Sequence, residues 1–105
     1  MNEKKFRNIY YYKNYYLNFF KTLDYEVKQK FNWTLKLISQ VDRVPTKYYK
    51  HIEDSTGLFE IRVEFGSNIY RVFSFFNKGQ LVILINGFQK RVKELRKKRL
   101  KRQKN

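Results

Sequence analysis

Arg62 and Arg71 are the residues of this 105-residue chain whose type and setting most suggest chemistry. Each lies in a stretch rich in β-branched and aromatic residues, and the turn cluster Gly66-Ser67-Asn68 separates the two stretches. A hairpin closed with Val63 opposite Val72 sets Glu64 across from Arg71 and Arg62 across from Phe73, with both arginines on one concave face. Lys90 leaves the last apolar stretch, and Lys47, Lys50 and His51 precede the hairpin, so several cations are expected to converge on one surface. That grouping suits phosphoryl chemistry on RNA. The 2′-hydroxyl of RNA can attack the adjacent phosphorus, and a protein then has to align the attack, relay a proton and stabilise charge on the phosphate oxygens. Arginine fits the last task because its planar fork stays charged and pairs with phosphate at two points. For the proton, His51 is the only histidine and its residue type titrates nearest neutrality, while Lys50, Lys90, Glu60, Tyr48 and Tyr49 stay open as substitutes. The same residues also have an ordinary reading: the arginines as strand charges paired with Glu60 and Glu64, and His51 as a surface loop residue.

Other chemistries find little support. The chain has no His-x-x-x-His pair, no P-loop, no Gly-x-Ser-x-Gly and no Cys, so neither a metal nor a cofactor is expected. The formal net charge is +15. Residues 90–105 hold ten basic residues and one acidic residue, and the remaining fourteen basic and eight acidic residues leave the body basic as well. Such a field attracts polyanions, nucleic acid first. The charged N-terminus lacks the apolar stretch of a secretory signal, and the aliphatic run from Leu81 to Ile85 is too short to span a bilayer, so a cytoplasmic protein without a membrane partner is expected.

The elements that must position the cations follow from periodicity. Residues 5–13, with Phe6, Ile9 and Tyr10-Tyr11-Tyr12, read as a first strand. Leu17, Phe20, Leu23, Val27, Phe31, Thr34 or Leu35, Ile38 and Val41 recur at steps of three and four, which predicts a helical stripe. A break near Thr22 or Asp24 divides it into a hairpin of a short and a longer helix; Trp33 and the tyrosines can be read as a base-stacking platform, but aromatics on such a stripe are expected in the core. Pro45 ends the helix by Val44. Residues 46–56 form a polar connection, partly a helical turn. Strict alternation from Phe59 to Phe65, an aromatic and β-branched stretch from Ile69 to Phe76, and the apolar run from Leu81 to Gly87 then predict three further strands, the last at the centre of a sheet.

The segments Lys47-Tyr48-Tyr49-Lys50-His51-Ile52-Glu53, Gly57-Leu58-Phe59-Glu60-Ile61-Arg62-Val63, Tyr70-Arg71-Val72-Phe73 and Asn86-Gly87-Phe88-Gln89-Lys90 occur in the order seen in the phage-derived, HigB-like branch of the RelE/ParE toxin superfamily, which the chain resembles over residues 6 to 90. The resemblance implies an α+β, RelE-like fold: an N-terminal strand and helical hairpin packed on a twisted, mostly antiparallel sheet. It implies the toxin component of a type II toxin-antitoxin system, a metal-independent messenger-RNA endonuclease working on the ribosome, with a helix-turn-helix antitoxin as partner. Carried onto this sequence, it marks Arg62, Arg71 and Lys90 as the active-site cations and touches Lys50, His51 and Tyr70 less directly; with the reading of the residues, the catalytic group is Arg62, Arg71, Lys90 and His51, and Lys47, Lys50, Tyr70 and Arg91 are RNA contacts. Two alternatives are a ParE-like protein that inhibits a topoisomerase, and a decayed toxin that binds antitoxin without cleaving.

Residues 91–105 depart from the family pattern, which continues with a Thr-Pro pair and an amphipathic helix. They are therefore set apart from the domain 1–90 as a basic tail, frayed or disordered. A permissible back-translation of the tail, read out of phase, yields Thr-Pro followed by a Lys/Ile/Glu/Ala stretch. The expectation drawn from this is a tail replaced by its shifted reading frame.

Overall fold

Apolar residues spaced for a helix and apolar residues alternating along strands meet here across one interface. The computed structural model describes residues 5–83 and 88–91. Within them the elements are β1 (Asn8–Tyr11), α1 (Tyr15–Lys21), α2 (Tyr25–Gln40), β2 (Tyr49–His51), β3 (Leu58–Phe65), β4 (Asn68–Asn77), β5 (Gln80–Ile83) and β6 (Phe88–Arg91). The sheet order is β1-β5-β4-β3-β2, with β6 also paired to β4. Only β1 and β5 run parallel; the other pairs are antiparallel. The expected α+β class, a helical hairpin on a mostly antiparallel sheet, is the one observed.

The helical stripe buries as its spacing requires. Val27, Phe31, Thr34, Leu35 and Ile38 of α2 turn inward and meet Ile61 and Val63 of β3, Tyr70 and Val72 of β4, and Leu81 and Ile83 of β5 in one core. Each large side chain so buried contributes about 1.5–3 kcal/mol of transfer free energy. Tyr16 brings α1 into the same cluster, its ring 6.1 Å from that of Phe31. Leu17 departs from the expected stripe and is exposed, because α1 has only seven residues and Tyr16 takes the inward position. Asp24 caps α2 in an extended conformation, with Glu26 in the first turn. At the other end the Arg7 guanidinium donates to the carbonyls of Ile38 at 2.9 Å, Val41 at 2.8 Å and Asp42 at 2.9 Å. Those are carbonyls that a helix end leaves without partners, and a cation there also opposes the negative end of the helix dipole.

The central hairpin forms in a register two residues away from the expected one. Ile61 pairs with Val72, Arg62 with Arg71 and Val63 with Tyr70, so Glu64 lies opposite Ile69 rather than Arg71. The turn decides this. Phe65 pairs with Asn68 across the two-residue loop Gly66-Ser67, and Gly66 takes φ +62° while Ser67 stays at negative φ. A two-residue loop with positive φ at its first position favours glycine there, and this outweighs the cross-strand charge pairs that the other register would form. Because the shift is an even number, every side chain keeps its face.

Residues 49–51, expected in a loop, form the edge strand β2, paired with Phe59, Glu60 and Ile61. Gly57 lets the chain enter β3 beside β4: a Cβ there would lie 2.7 Å from the Phe76 carbonyl, and φ is +86°. The first strand is shorter than the expected 5–13. The second half of the expected strand 81–87 and the expected frayed tail from residue 92 lie outside the described residues.

Candidate functional site

Alternation along β3 and β4 sends Ile61, Val63, Tyr70, Val72 and Ser74 toward the helices. Glu60, Arg62, Glu64 and Arg71 take the opposite face. Arg62 and Arg71 stand directly across from one another, a like-charge pairing that is unfavourable by itself. Glu60 compensates it. Its carboxylate lies 3.8 Å from Arg62 Nε through Oε1 and 3.5 Å from Arg71 Nε through Oε2, and Glu64 Oε2 lies 3.7 Å from Arg62 Nη2. The Glu60 side chain is 16% exposed, against 26% for Arg62 and 32% for Arg71. The carboxylate therefore sits below the two guanidinium groups and orients them. Neither Nε has a hydrogen-bond partner, so these are ion pairs rather than hydrogen bonds. Arg71 meets Glu60 through Nε, which leaves its terminal fork for bidentate contact with an anion.

Four charges of the cluster cancel, two positive against two negative. Attraction for an anion therefore comes from the surrounding lysines. Lys50 lies opposite Glu60 in register, and Lys50, His51, Ile52, Glu53 and Glu60 line a depression of about 320 Å³. Lys47 lines a smaller recess of about 100 Å³ with Lys30, Tyr48, Arg62 and Glu64. The backbone of β6 sets Lys90 opposite Ile69 and Arg91 opposite Asn68, one strand away from Arg71.

His51 stands at the rim. Its ring meets Phe59 edge-on at 5.3 Å, and Nε2 lies 3.0 Å from the Ser55 carbonyl. A carbonyl only accepts, so this hydrogen bond places the proton on Nε2 and leaves Nδ1 as the free acceptor. Tyr49, one of the open proton carriers, leaves β2 on the helix side, and His51, two residues further on and paired with Phe59, leaves it on that same side rather than on the arginine face. Burial pushes the Tyr49 hydroxyl up to about 12, only partly offset by the nearby Arg7 charge.

The structure thus brings Arg62, Arg71 and Lys50 to Glu60, with Lys47 beside Arg62, while His51 borders the Lys50 depression from the other side of β2. It does not bring Tyr70 to them. That residue is 5% exposed and packs edge-on against Phe31 at 5.9 Å on the opposite side of the sheet, which corrects its reading as an RNA contact. Two contributors are new: Glu60 as the shared partner of both arginines, and Lys30, whose Nζ donates to the Glu64 carbonyl at 2.6 Å. The spacing of 60, 62 and 64 put the first on the right face, whereas only the observed register shows that it serves both arginines. Among the described residues no three His, Asp or Glu side chains are grouped to hold a metal, and no helix is long and apolar enough to cross a membrane.

A helical hairpin backing a mostly antiparallel sheet, whose free face carries paired arginines, defines a basic α+β protein of RelE-like architecture. The chain belongs to the phage-derived, Gp49-like protein family (DUF891), which it matches over residues 18–105. That span runs past residue 90 into the basic tail. No curated protein and no solved structure matches the chain.

Proposed function

We propose that this protein is the toxin of a type II toxin-antitoxin system and an endoribonuclease that cuts messenger RNA on the ribosome. The observation that carries the reading is the pair Arg62 and Arg71, neighbours across two strands and both held by Glu60 on the sheet face opposite the described helices. In this scheme the 2′-hydroxyl attacks the adjacent phosphorus, and the 5′-oxygen of the next nucleotide leaves. The arginine forks stabilise the charge that develops on the non-bridging oxygens. Lys50 and Lys90 add positive charge around the phosphate, and Lys47 and Arg91 hold the flanking strand. Glu60, on the arginine face, accepts the 2′ proton, and His51, at the end of the edge strand, is the alternative base and returns a proton to the leaving oxygen. Family membership supports the toxin assignment, and a helix-turn-helix antitoxin in the cytoplasm is the partner that goes with it.

The test is a translation reaction with purified ribosomes and a defined message. Discrete cuts that require both the ribosome and this protein, and that vanish with Arg71→Ala, are the expected result. An intact message beside a poisoned topoisomerase would overturn the nuclease reading, and an inert wild-type protein that still captures its antitoxin would mark it as decayed.

A further inference from the structure

We propose that Trp33, Tyr48, Lys47 and Lys30 form a nucleotide subsite that takes one unpaired base and its phosphate beside Arg62; this rests on the RNA-cleaving reading above. Trp33 lies on α2, where the apolar stripe predicts core, yet it is 50% exposed. Its indole is held edge-on against the Tyr48 ring at 5.4 Å and 74°, and Lys47 Nζ stands 5.0 Å from the centre of the Tyr48 ring. A fixed aromatic surface is therefore open to solvent with a cation close by.

The sheet edge explains the recess between them. β2 pairs with β3 only as far as Ile61, and one further bond, from the Arg62 amide to the Tyr48 carbonyl at 2.9 Å, closes the pairing. From there toward Phe65 this edge of β3 has no neighbouring strand among the described residues. Lys30 reaches across from α2 to the Glu64 carbonyl on that edge, and Lys30, Lys47, Tyr48, Arg62 and Glu64 enclose the recess of about 100 Å³. Three cations and one carboxylate give it a positive sum. The volume admits a phosphate but falls well below that of a pocket for a whole small molecule, so a base belonging to that phosphate must lie outside it, on the open indole. Aromatic faces beside cations are how single strands are held without sequence reading. Arg62 lines this recess and also belongs to the arginine pair, so the nucleotide bound here is adjacent in the strand to the one cut.

Trp33 is the only tryptophan of the chain, which makes its fluorescence a direct readout. The intact protein is titrated with an eight-nucleotide 2′-O-methyl RNA, which cannot be cut by its own 2′ oxygen, and with DNA of the same sequence, an abasic oligonucleotide of equal length and inorganic polyphosphate. Saturable quenching by the oligonucleotides that carry bases, and not by the abasic strand or polyphosphate, is the expected result. Equal quenching by RNA and DNA assigns the subsite to unpaired nucleotides in general, and quenching by RNA alone assigns it to RNA. No quenching, or equal quenching by the abasic strand, overturns the proposal. Trp33→Ala should weaken binding of a labelled oligonucleotide about tenfold, and Trp33→Phe should restore most of it; unchanged affinity in Trp33→Ala also overturns it. The two readings fail separately. Cleavage without base-dependent quenching removes the subsite alone, whereas base-dependent quenching with no cleavage under any condition removes the nuclease alone.

Discussion

Glu60 holds the two arginines by charge rather than by hydrogen bonds, and this decides what substitutions there should do. Arg62→Ala or Arg71→Ala should lower cleavage by roughly 10²–10³, the usual loss when one donor to a developing anion is removed. Both side chains lie on the open face, so thermal unfolding of either variant should match the wild type; a collapsed fold would identify them as structural strand charges instead. Glu60→Gln removes a competing anion and the alignment together. Binding of uncut RNA should tighten while turnover falls by on the order of tenfold, a split between KM and kcat that a purely structural carboxylate would not give. Tyr49 predicts an alkaline limit. The unfolded chain releases its phenolic proton near 10 and the folded chain only near 12, so between those values the unfolded state binds fewer protons and stability falls as pH rises. Urea unfolding at pH 9 and pH 11 should show a loss that is smaller by about 1 kcal/mol in Tyr49→Phe, the remainder coming from the Tyr16 and Tyr11 hydroxyls, which burial also pushes up. Which face each arginine takes was legible in the sequence, because alternation alone fixes it. Their mutual pairing was not, since both registers bury the same residues and the turn at Gly66 chose between them.

At the scale of elements, Arg7 is the residue that sequence patterns could not reveal. Nothing within the first strand marks it as the cap of a helix some thirty residues later. With three donated bonds to the end of α2 and its guanidinium 4.9 Å from the centre of the Tyr49 ring, Arg7→Ala should cost about 2–4 kcal/mol, read from chemical denaturation. Arg7→Lys should recover only part, since an ammonium group cannot span all three carbonyls. In the β4–β5 turn Lys78 sits at φ +51° next to Gly79 at φ +80°. A lysine pays for that left-handed backbone where asparagine tolerates it, so Lys78→Asn should stabilise the protein by about 0.5–1 kcal/mol and raise its Tm. The stripe on α2 was readable because five of its positions bury as one face. β2 was not, because three residues are too few for any period to show, and Trp33 was misplaced because the stripe says which side is apolar but not where the sheet ends.

For the molecule as a whole, the charge needs dividing between a site and a field. The paired arginines are compensated locally, so most of the long-range attraction belongs to the lysines and to the residues after Arg91. Replacing the eight Lys and Arg residues beyond Arg91 with Gln should flatten the salt dependence of RNA binding while leaving the cut positions unchanged. An unaltered slope would show that those residues do not touch the phosphates. The total of +15 was plain from composition; its division was not, because Glu60 and Glu64 cancel two arginines only once the strands are folded. The strands β3 and β4 serve the core on one side and the arginines on the other. Insertion or deletion of a single residue within β3 would exchange the two sides, driving Arg62 inward and Ile61 and Val63 outward. In a screen for clones that survive expression, substitutions at 62 or 71 should therefore yield soluble, silent protein, and single-codon insertions or deletions in β3 only insoluble or degraded chains. Harmless but intact descendants of such a gene can be reached by exchanging letters and hardly at all by changing its length.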